Sequence, residues 1–262
     1  MRRLAVLLAL VLGFAACGGS DSGSSPSSPS TPSTPTTPIA SVCCNYPTSY
    51  TYEMVVSDGT QVALQATGTF SSAFDRTRAT LTTNGTLSAS APSGGTCAVT
   101  TSTIATYRSV ADFVDEGRSL GKRFVRTVTA TNSVSGPGAC GSATPYPTGT
   151  TTFTYDAQDR LMGDGTFTYT AWDSSGRPTL GTAPATAGLC GPQSVEMSYD
   201  DAGRIVTTIL SATICATGRL TSTTVFTYDN NMNQISARTT TAGSNGLTTQ
   251  VFRIGATAQV CK

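Results

Sequence analysis

The segment Met197-Ser-Tyr-Asp-Asp-Ala-Gly-Arg-Ile205 contains the local pattern that decides the fold. Tyr199 ends a stretch in which apolar and polar residues alternate, and Asp200 offers a carboxylate that accepts hydrogen bonds from turn backbone. Gly203 supplies the left-handed conformation that a tight turn needs, and Arg204 begins the returning strand. The segment therefore predicts two antiparallel strands joined by a short turn.

Three further segments repeat this pattern with changes. They read FTYDAQDRL (153–161), TAWDSSGRP (170–178) and FTYDNNMNQ (226–234). Asp159 and Met232 stand where the first segment has glycine, and aspartate adopts the left-handed conformation far more readily than methionine. This internal repeat predicts a series of hairpins. The predicted turn residues are Tyr155, Asp156, Trp172, Asp173, Gly176, Arg177, Tyr199, Asp200, Gly203, Arg204, Tyr228 and Asp229.

These segments resemble the YD (Rhs) repeats of bacterial surface and toxin-shell proteins, whose pattern is Tyr-Asp, two variable residues, Gly, then Arg or Asn. The resemblance covers about residues 150–240, with one segment that fits throughout and three that fit in part. It implies a long curled antiparallel sheet, closed into a shell in some members, and carbohydrate binding in others. The spacing between the four aspartates is too irregular to predict a closed shell.

The composition of residues 39–262 extends the β prediction to one whole domain. Threonine is abundant, and no window shows sustained apolar periodicity of 3.6 residues. Further hairpin signals stand at Asp58-Gly59, Asn84-Gly85 and Asp164-Gly165. We expect an all-β fold, an antiparallel hairpin or meander sheet that is curled or sandwich-like, with nearly no helix after the signal peptide.

Large side chains alternate along the strands that lead into the repeats. Two interpretations are open: a hydrophobic core, which the scarcity of aliphatic residues favours, and an exposed stacking platform for sugars. Trp172 differs because its neighbours Thr170 and Ser174 are polar. A half-exposed indole beside Asp173 and Arg177 is the candidate glycan contact, with simple packing as the alternative. The pairs that share a face are Phe153 with Tyr155, Phe167 with Tyr169, Met197 with Tyr199, and Phe226 with Tyr228.

The first 38 residues predict export and attachment. Residues 1–16 hold two arginines, an apolar run and small residues, as in a signal peptide, and the run is too short to span a bilayer. The segment resembles a bacterial lipoprotein precursor, which implies lipidation (palmitate) of Cys17, while an ordinary secretory cleavage near Ala16 is the alternative. Gly18 in place of aspartate implies the outer membrane, at either face. Residues 17–38 form a Ser/Thr/Pro-rich disordered tether that could span roughly 65 Å.

The cysteines indicate an oxidised, exported domain. Two pairs stand at nearly equal distances on either side of a predicted turn, as disulfides across antiparallel strands require. The predicted pairs are Cys190 with Cys215, Cys97 with Cys140, and Cys261 with Cys43 or Cys44. One thiol is left over, and it is free, bonded to a partner or part of a vicinal bridge. Because no CxxC motif and no histidine occur, a metal centre is not expected, and nothing implies a cofactor.

Composition also limits the function. The absence of histidine excludes Ser-His-Asp and Cys-His nucleophile pairs. The net charge of +1 is too balanced for a nucleic-acid-binding surface. Paired carboxylates can hydrolyse glycosides without histidine, which leaves Asp156, Asp159 and Asp164 as candidates, although turn chemistry explains them equally well. The same cluster, or residues 229–233, could offer oxygen ligands to calcium, but without the spacing of a specific calcium loop.

The sequence therefore predicts a lipid-anchored cell-envelope protein that binds or scaffolds and is not an enzyme. A carbohydrate-binding module at the cell surface is the alternative, and a carboxylate-dependent glycoside hydrolase is the less favoured one. Expected partners are the membrane, through the lipid anchor, and either an envelope polysaccharide or another envelope protein. The ligand itself cannot be named from the residues.

Overall fold

A computed structural model of the 262-residue chain describes residues 45–57, 61–91, 95–110, 125–136, 148–201, 203–228, 234–243 and 246–261. The predicted signal peptide, Cys17 and the tether lie outside these ranges, as does the fourth repeat turn with Asp229. The predictions made for those segments therefore remain predictions.

Every element that the structure describes is a β-strand, which confirms the all-β prediction. The strands are short in the repeat region and longer elsewhere. They are β1 (Asn45–Ser57), β2 (Val62–Asp75), β3 (Thr80–Ala91), β4 (Gly95–Tyr107), β5 (Val125–Ser135), β6 (Gly149–Thr152), β7 (Thr154–Tyr155), β8 (Leu161–Gly163), β9 (Thr168–Trp172), β10 (Pro178–Ala183), β11 (Gln193–Tyr199), β12 (Ile205–Ile214), β13 (Gly218–Tyr228), β14 (Gln234–Gly243) and β15 (Gly246–Cys261).

Strands that follow one another along the chain pair antiparallel, as a meander requires, except β6 and β7. One further antiparallel pair, β1 with β15, brings the two ends of the domain together. The strand order is β6-β5-β4-β3-β2-β1-β15-β14-β13-β12-β11-β10-β9-β8-β7. The strands at the two ends of this order, β6 and β7, are separated by Phe153 alone. The two ends of the order therefore meet along the chain at Phe153, without pairing with each other.

Contacts near this meeting point hold the two ends together. The Phe153 N–H donates to the carbonyl of Arg126, just inside β5, at 2.8 Å. The β8–β9 turn also lies against β6. A Cβ atom placed on Gly165 of this turn would be 3.1 Å from Thr151 Cγ2. Gly165 has a φ of +80°, so the predicted Asp164-Gly165 turn is confirmed.

Buried side chains form three clusters on the inner face of the sheet. The largest includes Tyr52, Met54, Phe70, Val99 and Phe226, and so joins strands from both halves of the chain. A second cluster lies across β3–β5, and the third packs residues of β9–β11 beside the β8–β9 turn. Most of the aromatic pairs that alternation assigned to one face contribute to these clusters, which supports the core interpretation over a stacking platform.

The predicted hairpin at Asn84-Gly85 is wrong. Both residues lie in the middle of β3, which pairs without a break with β2 and β4. Gly85 is opposite Phe70, and a side chain there would overlap the Phe70 ring. The glycine therefore makes room for an aromatic side chain from the next strand, and does not supply a turn. The Asp58-Gly59 signal lies outside the described residues, between the paired strands β1 and β2.

Replacing Gly85 by alanine is expected to lower the free energy of unfolding by about 1–3 kcal/mol, because the added methyl group displaces the buried Phe70 ring. Urea denaturation measures the loss. Gly191→Ala is the matched control, since no atom lies within 4 Å of a Cβ at that position, and it should change stability by less than about 0.5 kcal/mol. Equal effects of the two substitutions would contradict the overlap argument.

Candidate functional site

The three Asp–Arg turns, at residues 155–160, 172–177 and 199–204, are the most regular feature of the structure. In the second, Asp173 Oδ1 accepts hydrogen bonds from the backbone N–H groups of Ser175 and Arg177, each at 2.9 Å. Asp173 Oδ2 accepts the Nε–H of Arg177 at 2.5 Å. Gly176, with a φ of +77°, donates its N–H to the Asp173 carbonyl. Each residue of the motif thus has a defined role in closing the turn.

The other two turns repeat this geometry. Asp156 Oδ2 and Asp200 Oδ2 each accept an arginine Nε–H at 2.6 Å, from Arg160 and Arg204 respectively. Asp159 takes the glycine position of the first turn with a φ of +59°, as expected of an aspartate. In all three turns the residue with positive φ is the one that the repeat pattern assigns to that position: Asp159, Gly176 and Gly203. The ion pair between aspartate and arginine was not part of that expectation.

Sequence reasoning missed how consecutive turns interlock. Each arginine guanidinium lies over the aromatic ring that precedes the next aspartate, at 4.6–4.8 Å from the ring centroid. The polar atom of that ring then donates to the carbonyl of the residue after the arginine. The pairs of guanidinium and ring are Arg160 with Trp172, Arg177 with Tyr199, and Arg204 with Tyr228. In the same order, the rings donate to the carbonyls of Leu161, Pro178 and Ile205.

We call this series of guanidinium–ring and ring–carbonyl contacts the relay. Arg108 begins the relay from outside the repeats. Its Nη1 lies 2.6 Å from Asp159 Oδ1, and its guanidinium carbon lies 5.4 Å from the centroid of the Tyr155 ring. The Tyr155 hydroxyl donates to the Val125 carbonyl at 3.0 Å. Arg108 follows β4 directly, 51 residues before Asp159, so no local signal in the sequence could have identified it. It ties the first half of the chain to the first repeat turn.

Trp172 is a member of this relay. The indole is half-buried and packs against the third buried cluster, and its Nε1–H donates to the Leu161 carbonyl at 3.1 Å. The cation that covers it is Arg160, from the preceding turn, where the sequence suggested Arg177. One ring face is thus occupied, which leaves Trp172 a weaker candidate for sugar stacking than its polar neighbours implied.

The turns also shift the acidity of their aspartates. Burial alone would raise the pKa of Asp173, but the backbone N–H and guanidinium of Arg177 outweigh it and hold that pKa below its usual value. For Asp156 the same balance, with Arg160 as the donor, also lowers the pKa. Both carboxylates are therefore held in the ionised form by the groups that close their turns.

The carboxylates considered for hydrolysis all have structural partners. Asp156 is bound by Arg160, and Asp159 by Arg108. Asp164 accepts two backbone N–H bonds within its own turn, and its Oδ2 accepts the Tyr169 hydroxyl at 2.7 Å. Turn chemistry thus accounts for the whole cluster. In the part of the chain that the structure describes, no three His, Cys, Asp or Glu residues form a group that could hold a metal ion.

The predicted Cys190–Cys215 disulfide is confirmed, with the two Cα atoms 4.9 Å apart. The β11–β12 register runs from Ser194–Ser211 to Ser198–Thr207. Beside the disulfide the backbone instead pairs Leu189 with Ile214, so the register has shifted by two residues there. Backbone hydrogen bonds flank the disulfide on both sides.

The other cysteine predictions are tested only in part. Cys97 is disulfide-bonded, and β1 pairs with β15 so that the backbone of Cys261 is opposite Asn45. The side chains of Cys43, Cys44, Cys140 and Cys261 lie outside the described part of the structure. Their pairings therefore stay predictions.

The outer face of β2–β5 carries a shallow groove of about 610 Å³. It crosses these strands partway along their length, and the strands stand second to fifth from one end of the strand order. Its lining is composed almost wholly of hydroxyl, amide and backbone groups. The lining residues are Ser49, Thr69, Phe70, Ser71, Asn84, Gly85, Thr86, Thr100, Thr101, Ser102, Thr131, Asn132 and Ser133.

Comparison with known proteins does not place the chain in a family. No protein-family profile matches it, and no curated protein matches it. Among solved structures, a porin-like protein from Bacteroides uniformis is 13% identical with a TM-score of 0.33, over 79% of this chain and 95% of that one. A DUF1329 family protein from Desulfovibrio piger is 10% identical with a TM-score of 0.23, over 85% and 87% of the respective chains. Likenesses this weak carry no argument about function.

Within the described residues, no helix combines the length and the apolar character needed to cross a membrane.

Proposed function

We propose that this chain is a lipid-anchored protein of the bacterial outer membrane whose β domain acts by binding or scaffolding. The signal segment and Cys17 support the anchor, and the Ser/Thr/Pro-rich tether would hold the domain away from the bilayer. The turns that resemble YD (Rhs) repeats would give the domain its rigid curled sheet.

The observation that carries this proposal is the interlocked relay of Asp–Arg turns. Its carboxylates and guanidiniums bind one another, and each guanidinium also covers a ring of the next turn. Charged groups used in this way stabilise a surface and are not poised to act on a substrate. A rigid sheet that presents a large polar face supports binding or scaffolding, which we therefore propose ahead of hydrolysis.

A carbohydrate-binding role is the second candidate. The groove on β2–β5 favours it, since hydroxyl and amide groups from β1 to β5 line the groove. An apolar protein-docking patch has less support. The large apolar side chains exposed among the described residues are Val62, Ile104, Val134 and Val225, which belong to four strands. None of them is the registered partner of another.

Changing Cys17 to alanine is expected to move the protein from the membrane fraction to the soluble fraction. Each buried CH₂ group of an acyl chain contributes about 0.8 kcal/mol, so two or more chains hold a protein firmly at a bilayer. Cell fractionation and the mass of the amino-terminal peptide measure the change, and Ser20→Ala in the tether is the control that should stay with the membrane. An unmodified Cys17 in a soluble wild-type protein would contradict the proposal.

A further inference from the structure

Two rows of small polar side chains flank the groove on the outer face of β2–β5. In both rows the residues are directly opposite one another in the strand pairing. All are exposed except Ser102, which is half-buried. We call these eight residues the hydroxyl face: Thr69, Thr86, Thr100 and Ser133 in one row, and Ser71, Asn84, Ser102 and Thr131 in the other.

The floor between the rows is closed by residues that face the interior. Phe70 and Thr101 are only 3% and 4% exposed, and Gly85 between them lets the Phe70 ring pack beneath the sheet. Because adjacent strands lie about 4.8 Å apart, the groove runs roughly 15 Å from β2 to β5. The side-chain rows stand about 7 Å apart along the strands, since side chains of one face recur every second residue.

The hydroxyl face carries no charge. Within the four strands that form it, the charged residues are Asp75, at the end of β2, and Arg126, near the start of β5. Surfaces of soluble proteins usually mix charged side chains of both signs throughout. A central, exposed region without charge is therefore suited to a partner that is itself uncharged.

Part of the hydroxyl face is also ordered before any ligand arrives. The Ser102 hydroxyl donates to Asn84 Oδ1 at 2.7 Å, which orients the amide in the groove. The threonines are restricted at χ1 by their branched Cβ atoms. A ligand that binds this surface loses little energy to ordering side chains, because few rotamers remain to be immobilised.

From this chemistry we infer that the hydroxyl face binds an uncharged polysaccharide. This inference rests on the proposed binding function and names its ligand class. A polyanion would find no cation in the groove, and an apolar partner would bury hydroxyl groups without replacing their bonds to water, which is costly. The hydroxyl groups of a neutral glycan both donate and accept hydrogen bonds, so they match threonine, serine and asparagine side chains. The extended groove fits a chain ligand better than a compact one.

The test measures binding of the purified full chain to microcrystalline cellulose, chitin and dextran, with alginate as the polyanionic comparison. The test variant is the double change Thr86→Val, Thr100→Val, which removes two facing hydroxyls and keeps the branched shape. The matched control is Thr168→Val, Thr182→Val, another exposed and directly opposed pair, on β9 and β10. We expect the wild type to bind at least one neutral glycan, the test variant at least tenfold more weakly, and the control within about twofold.

Three results would overturn the inference: no binding of any neutral glycan by the folded wild type, equal weakening by the two double variants, or preferential binding of alginate. Urea denaturation of both variants ensures that a lost affinity is not a lost fold. If no glycan binds while the wild type still fractionates with the membrane through Cys17, the ligand assignment fails and the proposed anchored function stands. If the wild type is also soluble and unmodified at Cys17, both fail.

Discussion

Replacing Asp173 by alanine is expected to lower the free energy of unfolding by about 3 kcal/mol. Three hydrogen bonds end on this carboxylate, and hydrogen bonds to charged groups contribute about 1.5–3 kcal/mol each. Because the carboxylate is 21% exposed, water can hydrogen-bond to the same donor groups in the variant, so the expected loss is smaller than the sum of the three bonds. The Arg177 guanidinium, only 14% exposed, loses its counter-charge but keeps its place over the Tyr199 ring. Urea denaturation followed by Trp172 fluorescence measures the loss.

Asp201→Ala is the matched control for this prediction. Asp201 is an exposed turn residue beside Asp200, so its removal should change stability by less than about 0.5 kcal/mol. Asp173→Asn keeps an oxygen acceptor without the charge and should fall between alanine and the wild type. A loss below about 1 kcal/mol for Asp173→Ala, or one equal to that of Asp201→Ala, would show that the turn does not depend on this carboxylate.

The pH dependence gives a second readout of the same carboxylate. The pKa of Asp173 is lower in the folded protein than in the unfolded chain, so the folded form is favoured wherever the carboxylate is ionised. That stabilisation is complete above about pH 4 and is lost as the pH falls through the folded pKa. The stability difference between wild type and Asp173→Asn should therefore shrink as the pH falls from about 4 through the folded pKa of Asp173. A constant difference over that range would contradict the cause assigned to the pKa shift.

Local chemistry explains which parts of the structure could be predicted from the sequence. The Asp–Arg turns are closed by contacts between residues at most four apart, so the residues themselves determine the geometry. The Cys190–Cys215 bond could be predicted because the two cysteines stand at nearly equal distances on either side of the third turn, so the β11–β12 hairpin brings them to its far end together. The left-handed conformation of Asp159 at a glycine position also has a local cause, because aspartate tolerates a positive φ.

Long-range contacts explain the failures. Asn84-Gly85 has the composition of a hairpin turn, but the Phe70 ring on the neighbouring strand uses the glycine for space. Arg108 joins the relay across 51 residues, and the β1–β15 pairing closes the domain across nearly its whole length. A single sequence contains no local signal for such partners.

The groove was missed for a different reason. In the sequence, threonine and serine indicate only strands, and composition does not reveal that eight polar residues of four strands share one face. That alignment depends on the register of the three strand pairs, which only the structure supplies. The uncharged stretches of β2, β3 and β4 were visible in the sequence and were the available signal.

Changing both Cys190 and Cys215 to serine is expected to lower the free energy of unfolding by about 3–4 kcal/mol. The bond closes a loop with a sequence separation of 25, and a cross-link of that length removes much of the conformational entropy of the unfolded chain. Both cysteines are exposed or near the surface, so the serine side chains fit without strain or a cavity. The double change is preferred because a single one leaves a thiol that can attack the other disulfides.

The urea m-value separates this mechanism from a loss of native contacts. Without the cross-link the unfolded chain expands and exposes more surface, so m should rise together with the loss of stability. Ser194→Ala, Ser211→Ala, a facing pair in the same register, is the matched control and should change neither quantity. A loss below about 1 kcal/mol, or an unchanged m, would contradict the unfolded-state account. Because the bond persists only in an oxidising environment, the proposed export would be needed for the domain to reach its full stability.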